Sequence, residues 1–255
     1  MTTVKTFHFG QKTTARPSSA PADVVYGADG QVIAAQVSVT ERIDPAFHCY
    51  VWPSALVLAK YVWAKRAYFG STAAVIELGA GTGLPGLLAA KLGAQVYLTD
   101  KALALPALQQ TIVDNALCRQ ADASATRRGT AQPWPLGWGK FTSDGLLGLL
   151  AAAPPITWIL GADVFYEPAS FEAVLATVAY ILRVHPQACF VTAYQERSAT
   201  RSIQPLLERW GLAGRRVPSV TLDRDAGLDN HDDYDSSSMH SVDLYEIAAA
   251  KHPGP

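Results

Sequence analysis

The sequence predicts an α/β fold built on a mostly parallel sheet. Two observations carry this prediction. Short apolar runs bounded by glycine, such as AAVIEL and QVYLTD, alternate along the chain with longer segments of helical period. Within each run the apolar residues are consecutive, the pattern of a strand buried on both faces. With 255 residues, 49% hydrophobic and 17% charged, the chain is long and apolar enough for one substantial core.

The elements follow in order. Residues 16–22 are rich in Pro and Ser and read as a loose lead-in. VVYGADGQVIAAQVSV (24–39) reads as a β-hairpin, two β-branched runs around a Gly/Asp turn. Residues 1–44 are thus expected to be an N-terminal extension, and 45–250 the main domain. WPSALVLAKYVWAKRA places Ala55, Leu56, Ala59, Val62 and Trp63 at helical spacing, with Pro53 in the first turn, where it is tolerated. AAVIEL, QVYLTD, ITWILGAD and ACFVTAY are the four buried strands. Between and after them lie helices in LPGLLAAKLG, at 103–118, at 171–184 and near 202–210. Right-handed crossovers make such a sheet parallel. RRVPSV and VDLYEIAAA close the chain as an antiparallel pair joined by a long acidic loop. Residues 120–139 are irregular, and any strand there is weakly signalled.

Composition excludes several function classes. A formal net charge of −1 provides no general basic field for nucleic acid. No apolar run approaches the roughly 18 residues that span a bilayer, and the N-terminus lacks a signal-peptide core. Cys49, Cys118 and Cys189 are odd in number and form no CxxC pair. They read as reduced, buried thiols of a cytoplasmic or nuclear protein. The six histidines show no metal-ligand spacing, and no GxSxG motif supports a serine hydrolase. Trp63 and Trp210 read as core residues.

The chemistry concentrates in VIELGAGTGLPG (75–86), where four glycines follow a carboxylate. Gly81, Gly83 and Gly86 satisfy GxGxxG between a strand and a helix, the dinucleotide fingerprint. Glu77, Gly79, Gly81 and Gly83 equally satisfy E-x-G-x-G-x-G. That pattern suits S-adenosylmethionine, whose ammonium an acid attracts and whose carboxylate accepts backbone N–H bonds near a helix N-terminus. Asp100 ends the next strand, where a carboxylate can take both ribose hydroxyls. These residues point to an adenosine-containing ligand and leave alternatives standing: a methyl donor, NAD in an oxidoreductase, a plain tight βα turn, or a non-catalytic partner protein that keeps the fold.

VWPSALVLAKYV, ELGAGTGLPGLLAAKLGAQVYLTD, the LGWG at 136–139 and GADVFYEP resemble the methyltransferase-like group of seven-β-strand methyltransferases, known as family sixteen. The resemblance runs over about 47–248. It implies a Rossmann-like class I methyltransferase with sheet order 3-2-1-4-5-7-6 and strand seven antiparallel. It implies S-adenosyl-L-methionine as cofactor, with Trp52, Glu77, Gly79, Gly81, Gly83, Asp100 and Trp138 at the cofactor. It also implies Asp163 and Tyr166, the Asp-x-x-Tyr of GADVFYEP, at the substrate side. TRRGTAQPWPLGWG departs from the family pattern by two prolines and an extra tryptophan. The implied substrate is a lysine or arginine side chain of a protein, a histone or another basic-tailed protein among them. Arginine is normally held by two carboxylates, for which Asp163, Glu167 and Glu196 are the candidates. The six aspartates of 223–235 read as a solvated loop, or else as an attractor of a basic tail.

Overall fold

In a computed structural model the described residues are 2–10, 23–42, 49–118, 129–195, 203–218, 222 and 242–250. The N-terminal stretch is more than a hairpin. β1 (Thr2–Gly10), β2 (Val24–Tyr26) and β3 (Val32–Arg42) form an antiparallel sheet of order β1-β3-β2. The expected pair, β2 and β3, is present. β1 was not anticipated, because only its last residues alternate clearly, with Phe7 and Phe9 buried and His8 exposed. The lead-in at 16–22 lies outside the described residues, as do 43–48, where the expected domain boundary falls.

The remaining elements follow the predicted alternation, with β6, only weakly signalled by the sequence, and α4, not expected, added between the second helix and the third buried strand. They are α1 (Pro53–Ala64), β4 (Ala74–Leu78), α2 (Leu84–Lys91), β5 (Gln95–Asp100), α3 (Leu105–Asp114), β6 (Thr130–Pro135), α4 (Leu146–Ala152), β7 (Trp158–Ala162), α5 (Phe171–Val184), β8 (Cys189–Gln195), α6 (Gln204–Arg209), β9 (Leu212–Val217) and β10 (Val242–Ala249). The second expected helix, at 103–118, is shorter. A 3-10 turn over Ala102–Ala104 precedes it, and its C-terminal end stops at Asp114. The main sheet runs β6-β5-β4-β7-β8-β10-β9. Numbered from β4, this is the expected order 3-2-1-4-5-7-6. β10 is antiparallel to both of its neighbours, and the inner pairs are parallel.

Two helical layers cover this sheet. α1, α2 and α3 bury Leu58, Leu87 and Leu108 on one face. α4, α5 and α6 bury Leu149, Val178 and Leu207 on the other. The N-terminal sheet joins the first layer, since Phe7, Phe9, Val37 and Val39 share its core. Polar joints help to fasten it. Asn115 Nδ2 donates to the Ser38 carbonyl (2.6 Å), and its Oδ1 accepts from the Ser38 N–H (3.0 Å), as a neighbouring strand would. Lys91, fully buried, donates to the Asn115 carbonyl (2.6 Å) and to Asp23 (2.9 Å). Trp63 lies in this core as expected, its ring 6.0 Å from that of Phe9. Trp210 staples α6 to α5, donating to Glu172 at 2.6 Å.

Cys49 is buried and Cys189 half-buried, but Cys118 is exposed, contrary to expectation, because it follows the end of α3. The acidic stretch 223–235 and Glu196 lie outside the described residues.

Candidate active site

The glycine loop is fixed from below and from the side. Gly79, Gly81 and Gly83 all have left-handed φ, at 59°, 55° and 76°, which side chains rarely adopt. The Ala80 N–H donates to the Thr99 carbonyl of β5 (2.9 Å), and the Gly81 N–H donates to Asp100 Oδ2 (2.9 Å). Asp100 Oδ1 accepts from the Lys101 N–H (2.7 Å). Both oxygens of Asp100 are therefore held in place at the carboxyl end of β5. Each keeps a lone pair that a ligand hydroxyl can use.

Glu77 differs from its expected role. It is 1% exposed, and its Oε2 accepts from the Gly86 N–H (2.9 Å) in the first turn of α2. A Cβ on Gly86 would press onto this oxygen and approach Leu98 Cδ2 to 2.5 Å. The third glycine of GxGxxG thus makes room for a buried carboxyl and for close helix–strand packing. Burial pushes the Glu77 carboxyl up to about 8; the Gly86 hydrogen bond opposes this, and the charge of Asp100 adds to it. Glu77 holds the frame of the loop from the interior and does not present an acid at its open side.

The second wall comes from the segment after β6 and the turn after β7. The ring of Trp138 covers Gly79, where a Cβ would lie 2.8 Å from Cζ2. Gly79 is therefore required twice, by its φ and by this ring. Trp138 also meets Tyr166 edge-on, with centroids 6.4 Å apart. Asp163 is 8% exposed, adopts φ 53°, and donates its N–H to the Ala193 carbonyl of β8 (2.8 Å). A left-handed aspartate at the end of a central strand is the kind of local strain that gathers at functional sites. Phe165 anchors this turn, buried edge-on to Phe171 and Tyr194, while Tyr166 remains 49% exposed.

Trp52 precedes α1 and packs edge-on against Tyr50 (5.3 Å). Tyr61, further along α1, meets Trp158, the first residue of β7 (6.3 Å). The start of α1 therefore lies toward the carboxyl edge of the sheet, the same edge as the glycine loop. Glu167 is turned aside, its Oε1 accepting from the Ala169 N–H (3.5 Å) in the 3-10 turn that follows.

Direct contacts therefore link the sequence-predicted Gly79, Trp138 and Tyr166, and separately Gly81 and Asp100. They lie outside the carboxyl ends of β4, β5 and β7, where strand order reverses in an open α/β sheet and ligands bind. Two supporting groups escaped the sequence. One is Thr177 of α5, whose Oγ1 accepts from the Gly139 N–H (2.8 Å). The other is Glu41 of β3, whose Oε1 accepts from the Val51 N–H (2.9 Å), next to Trp52. The only signal for Thr177 is a hydroxyl on an otherwise apolar helix face, among Val174, Val178 and Ile181.

A family model described as lysine methyltransferase matches residues 34–204. The histone-arginine methyltransferase METTL23 of Xenopus laevis is 42% identical over 190 residues, 74% of this chain and 75% of that protein. The protein of the same description from Homo sapiens is 36% identical over 205 residues, 79% of this chain and 98% of its own length. The protein N-lysine methyltransferase METTL21A of Xenopus tropicalis is 36% identical over 131 residues, 51% of this chain and 54% of that protein.

The family match decides between the methyl donor and the dinucleotide. The site fits S-adenosylmethionine: a left-handed glycine turn for close backbone approach, a fixed carboxylate at Asp100 for ribose hydroxyls, and an aromatic plane at Trp138. When bound, this donor supplies a methyl group activated on a sulfonium. The chain belongs to the lysine methyltransferase family and is an S-adenosylmethionine-dependent methyltransferase.

Proposed function

We propose that this enzyme methylates a side-chain nitrogen of a basic protein segment, with an arginine of a histone as the first candidate. One observation carries the reading: the Trp138 ring is seated on Gly79 and meets the ring of Tyr166, in the turn that also holds Asp163. An exposed tyrosine face beside a glycine loop favours a cationic side chain. The names of the relatives support a histone arginine as that side chain.

Methyl transfer is an in-line displacement, so alignment of the nucleophile contributes more than a strong base. The residues present suit that task. Tyr166 flanks the incoming side chain from a rigid turn. Asp163, fixed by its backbone bond to Ala193, supplies a carboxylate toward a guanidinium, which stays charged on entry. A lysine would instead have to shed its proton first, helped by desolvation among the rings. The family description and the METTL21A relative favour that second reading. A histone substrate would place the enzyme in the nucleus, the cytoplasm or both.

The test is transfer of an isotopically labelled methyl group to core histones and to paired tail peptides with every Arg or every Lys replaced, read by mass spectrometry. Label on arginine is the expected result. Label confined to lysine would move the assignment to lysine, and no label on any histone would remove the histone reading. Tyr166→Ala should lower turnover at least about tenfold, the scale of one lost cation–aromatic contact in a desolvated site, while donor binding measured by calorimetry persists.

A further inference from the structure

We propose that Thr177 is a positioning residue of this enzyme: through Gly139 it holds Trp138 over the glycine loop and so sets the affinity for the methyl donor. The inference rests on the reading of Trp138 as part of the donor site.

Three observations converge on this latch. First, Thr177 is 1% exposed, in the second turn of α5, and its Oγ1 accepts from the Gly139 N–H at 2.8 Å. The same oxygen donates to the Ala173 carbonyl one turn earlier (2.9 Å), so the hydroxyl is committed in both directions. Second, Gly139 adopts φ 72°, and a Cβ there would lie 3.1 Å from that of Ala173. The segment after β6 is therefore pressed onto α5 by close packing as well as by the hydrogen bond. Third, the residue between these anchors and Gly137 is Trp138, whose ring covers Gly79 and meets Tyr166.

Tyr166 lies in the turn that feeds α5, five residues before the helix begins at Phe171. α5 thus controls both rings, Tyr166 through chain continuity and Trp138 through Thr177. Loss of the hydroxyl would leave the Gly139 N–H without its acceptor and free Trp138 to lift from Gly79. The effect falls on the donor pocket because Gly79 is its floor.

The test uses the full chain and calorimetric titration with S-adenosylhomocysteine, the demethylated product, without protein substrate. Thr177→Val, which keeps the shape and deletes the hydroxyl, should weaken binding about tenfold, the size of one lost hydrogen bond. Thr177→Ser should restore affinity. In a Trp138→Ala background Thr177→Val should add nothing further, as residues acting through one another are non-additive. Unchanged affinity in Thr177→Val, or a full additional loss in the Trp138→Ala background, would overturn the proposal. If Thr177→Val does not fold, Gly139→Ala serves instead: weakened binding supports the latch, and wild-type affinity refutes it. Since no protein substrate enters the titration, a wrong histone assignment leaves these outcomes intact.

Discussion

At the scale of single residues, Glu77 joins stability to the donor loop. Its carboxyl is sealed beneath α2, and burial pushes it up to about 8. In the unfolded chain the same group titrates in the ordinary carboxylate range. Between that range and about 8 the unfolded chain has released a proton that the folded chain keeps. Stability therefore falls as pH rises through this window and stops falling above it. Glu77→Gln keeps an oxygen to accept from Gly86 and removes the titration. Its melting temperature should decline less between pH 5.5 and 8.5 than that of wild type. The difference should amount to several degrees, at roughly 2–4 °C per kcal/mol for a chain of this size. Parallel Tm–pH curves by calorimetry would contradict this account. The residues named from the sequence are those whose chemistry travels with local context: a carboxylate at a strand end (Asp100), glycines in a turn, and an Asp-x-x-Tyr after a strand. Thr177 and Glu77 show the limit. The partner of Thr177 is 38 positions away, and the direction in which Glu77 points depends on how α2 crosses β4 and β5.

At the scale of elements, α1 shows how one piece of structure relies on another. Its first turn has no side-chain cap, and Pro53 has no N–H to satisfy. The Trp52 carbonyl accepts from the Ala55 N–H at 2.9 Å, and the preceding Val51 N–H is held by Glu41 of β3. Glu41 in turn pairs with Lys5 of β1 (2.8 Å), both side chains largely covered. The N-terminal sheet thus fixes the approach to Trp52. Glu41→Ala should lower stability by about 1–3 kcal/mol, the cost of a buried N–H left unpaired, and should also weaken donor binding. Glu41→Gln, which can still accept from Val51, should fall between wild type and Ala in both measurements. Equal donor affinity in all three proteins would show that this brace does not reach the site. The elements that the sequence missed share a cause. β6 carries Pro133 and Pro135, tolerated because among the described residues it is an edge strand, paired with β5. α4 is seven residues long and carries Gly148, a poor helix former, and β1 shows alternation only at its end. Each is defined by its neighbours more than by its own pattern.

At the scale of the whole molecule, the N-terminal sheet and the first helical layer of the methyltransferase sheet share one core. Phe9 is 1% exposed and its ring meets Trp63 of α1, while Gly10 lies so close to Trp63 that a Cβ would come within 2.5 Å of the ring. Asn115 and Lys91 tie Ser38 and Asp23 to α2 and α3 through hydrogen bonds that are buried or half-buried. Groups buried across such a joint cannot be exposed on one side without stranding the other. The chain should therefore unfold in a single transition, with calorimetric and van't Hoff enthalpies in agreement. Phe9→Ala opens a cavity at the joint and should cost about 3–5 kcal/mol, moving that one transition down by roughly 10 °C at the size-dependent scale of ~2–4 °C per kcal/mol. The donor should still raise the midpoint of the variant, because it binds the folded form. If Phe9→Ala instead split the melt, with a small early transition and a main one unmoved and still donor-sensitive, the sheet would be a separable appendage. Its link to Trp52 through Glu41 would then have no mechanical basis, since a brace acts only through a body that stays folded with the part it supports.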